Sequence, residues 1–225
     1  MDEVKIGCNS KIHWVKLQHD SEKSALTQHS KINQEKDSRA IVHTISTGGK
    51  FLRNNLDFLL RGSGAEARMF GLSLGSDKQL IDHHTRVDHL APNCISHEAY
   101  KGIFDDNSHG VFNGKIFVHL DAQKTQAYQQ NNNLVLSENA TIDTKPQLEI
   151  FADDVKCSHG CTIGQLDEDA LFYLRARGIP IKEAKALLML AFANDAIADI
   201  QHPSLRAKLS ELIGLNLGVD MSSAF

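Results

Sequence analysis

The sequence predicts a mainly β chain: a parallel β-helix followed by a small C-terminal α-helical domain. Three observations carry that prediction. Over residues 4–164 apolar and polar residues alternate in short runs broken by Gly, Asn, Asp and Ser, the pattern of strands separated by turns. The runs return at about ten-residue spacing without the succession of Asn-Gly type hairpin turns that a meander shows, which favours a solenoid with rungs of roughly twenty-odd residues. After Gly164 the periodicity changes to that of helices.

The strands can be taken in order. "VKIGCNSKIHWVKLQ" (4–18) alternates from its first residues, with Val4 and Ile6, then Ile12 and Trp14, as if the chain entered mid-pattern and Met1 truncated a longer protein. "RAIVHTISTGG", "NNLDFLLRGSG", "ARMFGLSLGS", "GKIFVHLDA", "NNLVLSE" and "QLEIFAD" follow, each a strand of roughly five to eight residues. Ser-His-Gly occurs at Ser108–Gly110 and again fifty residues later at Ser158–Gly160, both times after an Asp-Asp pair, and is read as a weak repeat of the solenoid. The boundaries expected are 1–165 for the β-helix, 166–217 for the helical domain and 218–225 for a frayed tail.

In the helical part, Asp167, Glu168 and Asp169 suit the positive end of a helix dipole, and Gly178 is a stop signal. Pro180 opens a second helix, with Ile181, Ala184, Leu187, Leu188 and Ala191 on one stripe. Pro203 and Ser204 open a third, with Leu205, Leu209, Leu212 and Ile213.

A formal charge of −4 gives no global attraction to nucleic acid or an anionic membrane. No apolar run approaches the roughly 20 residues of a membrane-spanning helix, and the first residues lack the apolar core of a signal peptide. Four cysteines, Cys8, Cys94, Cys157 and Cys161, are too sparse for a disulfide framework, so reduced thiols in a cytoplasmic setting are expected.

Two clusters invite chemistry. "IDHHTRVDHLAPNC" (81–94) holds His83, His84, His89 and Cys94, but on a strand His83 and His84 face opposite ways, which favours stacking or polar solenoid roles over a metal site. "VKCSHGC" is the stronger signal. Cys157 and His159 fall on one face of a strand, about 6.6 Å apart at a rise of ~3.3 Å per residue. Cys161 lies about 13 Å from Cys157 if the strand is straight, too far to share one small ion, unless Gly160 kinks the chain. One strand then supplies at most half a metal site. A Cys-His nucleophilic pair lacks an orienting third group, and a thiol beside a hydrogen-bonded histidine remains the purely structural alternative.

"DHHTRVDHLAPNC" (82–94), "SHEAYKGIF" (96–104), "KPQLEIFADDVKCSHGCTIGQLDEDALFYLRARGI" (145–179) and "EAKALLMLAFA" (183–193) together resemble the SufB/SufD family of the SUF iron-sulfur cluster assembly system. Within it, the "VKCSHGC…LFYLRARGI" stretch looks like the SufD branch. The resemblance implies a right-handed β-helix and a non-catalytic scaffold that pairs end to end with a SufB-like paralogue. It also implies docking of a SufC-like ATPase on the 168–198 helices, and a nascent iron-sulfur cluster held transiently at the junction. Cys157 and His159 match the family positions at that cluster, while Cys161 departs from the usual small residue and is unassigned. A flavin association of the whole complex falls on no residue here, and an isolated chain is expected to form homodimers. Two further readings stand beside this one: a carbohydrate-active β-helix enzyme, which needs clustered carboxylates in a groove, and a self-associating structural solenoid.

Overall fold

The computed structural model describes residues 1–219, so the tail expectation falls largely outside the described residues. Twelve strands wind into a solenoid with two parallel sheets, two strands to a turn. The first sheet holds β1 (Asp2–Ile6), β3 (Ala25–Gln34), β5 (Phe51–Leu60), β7 (Leu80–His89), β9 (His109–Val118) and β11 (Thr141–Ile150). The second holds β2 (Lys11–Asp20), β4 (Arg39–Gly48), β6 (Glu66–Gly75), β8 (Ile95–Phe104), β10 (Gln126–Val135) and β12 (Lys156–Gly164). The β-helix is therefore present, with strands longer than the runs suggested: most are ten residues.

Register partners on successive turns lie between 26 residues apart, as for Ala25 and Phe51, and 32 apart, as for His109 and Thr141. The Ser-His-Gly repeat does not follow this period. His109 opens a strand of the first sheet, whereas His159 lies inside a strand of the second, so the fifty-residue recurrence is not a rung repeat.

The corners explain the turn residues. Asn9, Asp37, Gly64, Asn93 and Lys124 all have positive φ and sit at successive corners, where Asn, Asp and Gly carry the smallest steric cost. Their amides bond upward into the next corner, Asp37 N–H to the Ser63 carbonyl at 3.0 Å and Asn93 N–H to that of Gln123 at 2.9 Å. Stacked corners thus take the place of hairpin turns, and the Asn113-Gly114 pair lies inside β9 rather than at a turn.

Between the sheets inward residues of the strands form the main core, with Ile32, Phe58, Leu60, Met69, Val87, Ile116 and Val118 fully buried. A second cluster lies outside the second sheet, where Ile45, Leu72, Leu74 and Ile103 meet the C-terminal helices. These are α1 (Glu168–Ala176), α2 (Ile181–Asn194), a short 3-10 turn (Asp195–Ile197) and α3 (Pro203–Asn216).

The capping signals act as expected. Asp167 accepts from the amides of Asp169 and Ala170, and Gly178, at φ +87°, lets the Ile179 amide reach back to the Leu174 carbonyl. The docked face of α2 differs from the expected stripe: Ala184, Ala186, Leu190 and Ala193 are buried, while Ile181 and Leu187 are exposed. Small alanines let the helix approach its neighbours, a packing choice that apolar spacing alone does not encode. Lys101 of β8 anchors this segment, donating to the Phe192 carbonyl at 3.1 Å and to Asp195 at 2.6 Å. Asn216 at the end of α3 accepts from Thr47 of β4 at 2.7 Å. No described helix is long and apolar enough to cross a membrane.

Candidate site at the open end of the solenoid

The last turn of the solenoid is β11 and β12. Within the described chain β11 pairs only with β9, and β12 only with β10, so each presents a free strand edge at this end. Such edges carry rows of unpaired backbone donors and acceptors and are templates for another chain. Apolar residues flank them: Ile150, Phe151 and Ile163 are all exposed.

β12 carries "CSHGC". It pairs with β10 without interruption from Lys156 to Gly164, so Gly160 introduces no kink and the straight-strand spacing holds. Cys157 stands in register with Ala127, His159 with Gln129 and Cys161 with Asn131. Those three β10 residues point into the core and are buried, so Cys157, His159 and Cys161 face the same inner side. Cys157 is half-buried and packs on the central core, whereas His159 and Cys161 are exposed at the solenoid mouth. Burial raises the Cys157 thiol above its ordinary value, against a smaller opposing contribution from a hydrogen bond with the Ala127 backbone, so metal capture there would release a proton.

The other cluster disperses. His83 is buried and packs at a tilt against Tyr100, with ring centres 5.3 Å and ring planes 59° apart, while His84 faces outward, 3.0 Å from Asp82 and 3.3 Å from Arg53. His89 is buried against Ser96 at 2.9 Å, and the Cys94 thiol donates to the Gly62 carbonyl at 3.3 Å. Desolvation lowers His83 and His89 to about 3, so both are neutral packing groups near pH 7. Among the described residues, no group of three or more His, Cys, Asp or Glu is placed to hold a metal ion. The more protected outward carboxylates are paired with cations: Glu66 with Arg39 and Arg68, Asp82 with Arg53, and Asp88 with Arg86. That leaves them poorly suited to the paired-carboxylate chemistry of a glycosidase.

Directly behind His159 lies a polar file that the sequence reading did not single out. Glu98, Gln129 and His159 occupy matching positions on β8, β10 and β12. Glu98 is fully buried, and desolvation lifts its carboxyl to about 7 against a smaller lowering by the nearby Thr85 hydroxyl and the Gln129 amide, of which Gln129 is hydrogen-bonded to it. The signal was a carboxylate at an inward position of "SHEAY". Its relation to His159 needs the register of two turns.

A family model for the SufBD core domain of the SUF system for FeS cluster assembly matches residues 1–192. The chain belongs to this family. Its sequence is 35% identical to the iron-sulfur cluster assembly protein SufD of Escherichia coli over 95% of this chain and 51% of the relative. It is 36% identical to an iron-sulfur cluster assembly SufBD family protein of Synechocystis over 95% of this chain and 47% of the relative. The chloroplastic protein ABCI7 of Arabidopsis thaliana is 35% identical over 91% of this chain and 43% of its own length. The chain therefore spans about half the length of these relatives. Membership in the SufBD family links the solenoid to iron-sulfur cluster assembly.

Proposed function

We propose that this chain is a non-catalytic scaffold subunit of a SUF assembly complex. Its open β11–β12 end docks on the matching end of a SufB-like paralogue, and Cys157 and His159 hold the nascent cluster there with ligands from that partner. The observation that carries this reading is the placement of one half-buried thiol and one exposed imidazole on the same face of an unpaired terminal strand. A strand supplies too few ligands for a cluster, and the same edge is where a second chain can supply the rest. The cluster is cargo: thiolate and imidazole bind iron, and a histidine can replace a cysteine ligand as in Rieske centres.

The helices serve a second partner. α1 has no buried residue, and Phe172 and Tyr173 are exposed on it, with Ile181 and Leu187 of α2 also exposed. An apolar surface of this kind suits docking of a SufC-like ATPase. Four free thiols fit a reducing compartment, and we place the complex in the cytoplasm on that ground. The flavin association implied for the assembled complex is assigned to no residue of this chain.

The test is co-purification of the full-length protein with SufB-like and SufC-like partners, followed by anaerobic iron and sulfide analysis. His159→Ala and Cys157→Ser are expected to keep the complex assembled and to lower its iron and sulfide content. Unchanged content in His159→Ala would remove the site assignment. The same open edges also favour a homodimer of the isolated chain. Exchange into a heterodimer on mixing with the SufB-like partner supports the scaffold, whereas a homomer that refuses exchange supports a self-associating solenoid.

A further inference from the structure

Gln129 is the residue in register behind His159, and its amide is clamped. Its Nε2 donates to Glu98 Oε2 at 2.7 Å. On the opposite wall Gly114 makes room for it, because a Cβ at that position would overlap the Gln129 amide nitrogen. Gln129 is 1% exposed and Glu98 0%, so neither side chain has water to turn toward. In its ionised form a carboxyl only accepts, so Glu98 takes the amide NH2 and not the amide oxygen. The Gln129 NH2 group is therefore committed to Glu98, and the amide oxygen is turned away from it. That oxygen, Oε1, is buried and lacks a hydrogen-bond partner. Buried acceptors without donors are uncommon, and this one lies next to a terminal strand that can offer a ring N–H in register. The residue in register on that strand is His159, one strand spacing of ~4.8 Å away.

We propose that Gln129 is a positioning residue for His159: its amide oxygen accepts the ring N–H of His159 and leaves the other ring nitrogen bare at the solenoid mouth. The inference rests on the reading that His159 is a ligand of the cargo. A ligating imidazole must be neutral with one bare nitrogen, and an acceptor on the other nitrogen selects that tautomer and fixes the ring plane. In the isolated chain His159 is exposed and the bond is unmade. Metal or partner binding orders the ring and closes it. Glu98 acts one step further back, by holding the amide the right way round.

The experiment uses the full-length protein assembled with its SufB-like partner, with Co(II) alone as the probe, titrated by its optical spectrum. Gln129→Leu is expected to weaken Co(II) binding by about 10–100-fold, the usual effect of losing an outer-shell partner of a metal-bound histidine. Glu98→Leu frees the amide to flip and should weaken binding as well. Glu98→Gln still offers a carbonyl to the Gln129 NH2 group and should restore it. With Zn(II) and 15N-histidine labelling, wild type should show a single tautomer at His159, and Gln129→Leu a mixture. Should Gln129→Leu fail to fold, the Glu98→Leu and Glu98→Gln pair decides the matter. If His159→Ala abolishes Co(II) binding while Gln129→Leu, or Glu98→Leu in its place, leaves it unchanged, the positioning role is overturned and the site stands. If His159→Ala itself has no effect, the site assignment fails first.

Discussion

The strands β10 and β12 run side by side in the same register, yet one is buried along its inner face and the other is exposed almost throughout. Both alternate, and both turn the same positions inward. The difference is position in the stack: β10 has neighbours on both edges and β12 on one. A terminal strand thus carries a core-facing pattern without a core to face, and what stands at its inner positions is a thiol, an imidazole, a second thiol and Ile163. The comparison teaches that the same inward pattern is covered where a strand has neighbours on both edges and open where it has one.

The contrast is broken most sharply by removing aromatic bulk. Phe58 is fully buried inside the stack, so Phe58→Ala should cost about 3–5 kcal/mol of unfolding free energy. Phe151 follows β11 at the open end and is 56% exposed, its ring tilted against that of Phe117 with centres 5.2 Å apart. Phe151→Ala should cost well under half as much in the isolated chain, by chemical denaturation of both variants. Equal losses would mean that the last turn is packed as tightly as the middle.

Overpacking gives the next effect. A Cβ at Gly71 would overlap the Tyr100 ring, which is itself held between His83 and Phe112 at centroid distances of 5.3 and 5.1 Å. Gly71→Ala should therefore destabilise by about 1–3 kcal/mol. A melting temperature unchanged from wild type would show that the Tyr100 stack can move aside.

Acid probes the buried stack through its own titrating groups. His83 and His89 are buried in the stack and held near 3, below the 6.5 of an unfolded histidine, so the unfolded chain binds more protons below pH 6.5. Their contribution to stability is complete above about 6.5 and is lost as pH falls toward 3, by about 1 kcal/mol per unit for each. Glu98 has the opposite sign. Its carboxyl, raised from 4.5 to about 7, makes the native state the better proton binder between those values, so stability falls as pH rises through that window. Two histidines outweigh one glutamate below pH 6.5, and the expected outcome is net loss of stability on acidification. Glu98→Gln should make the loss between pH 6.5 and 4.5 steeper, read from denaturation midpoints across that range.

Much of this fold was legible in the sequence because its signals are local. Alternation marked the strands, Asn, Asp and Gly marked the left-handed corners, and Asp167, Gly178 and Pro203 marked the helix ends. The pair Cys157 and His159 was legible for the same reason, since two residues on one strand share a face whatever lies beside them. Register was not. Corners of unequal length let partners sit 26 to 32 residues apart, so nothing local ties Glu98 or Gln129 to His159, and a tripeptide repeat at fifty residues misled. The buried face of α2 was misjudged because alanines, not leucines, make the close approach.

The smallest effect is the most specific to the open end. Gly160 lies between His159 and Cys161 on the outward face of β12, and a Cβ there would meet nothing within 4 Å. Gly160→Ala in the isolated chain should change stability by less than about 0.5 kcal/mol, as for other exposed positions. Gly71, the glycine of a central strand, has no such freedom, so the two alanine substitutions measure the same added methyl group with and without a neighbour. In the assembled complex the outcome for Gly160→Ala depends on what covers that face. If a partner strand extends the sheet by backbone pairing at the free edge, a methyl group pointing outward is tolerated and the heterodimer forms with wild-type affinity. If the partner instead packs on the outward face, the methyl group collides with it, and analytical ultracentrifugation should show weakened assembly while the isolated variant stays fully folded.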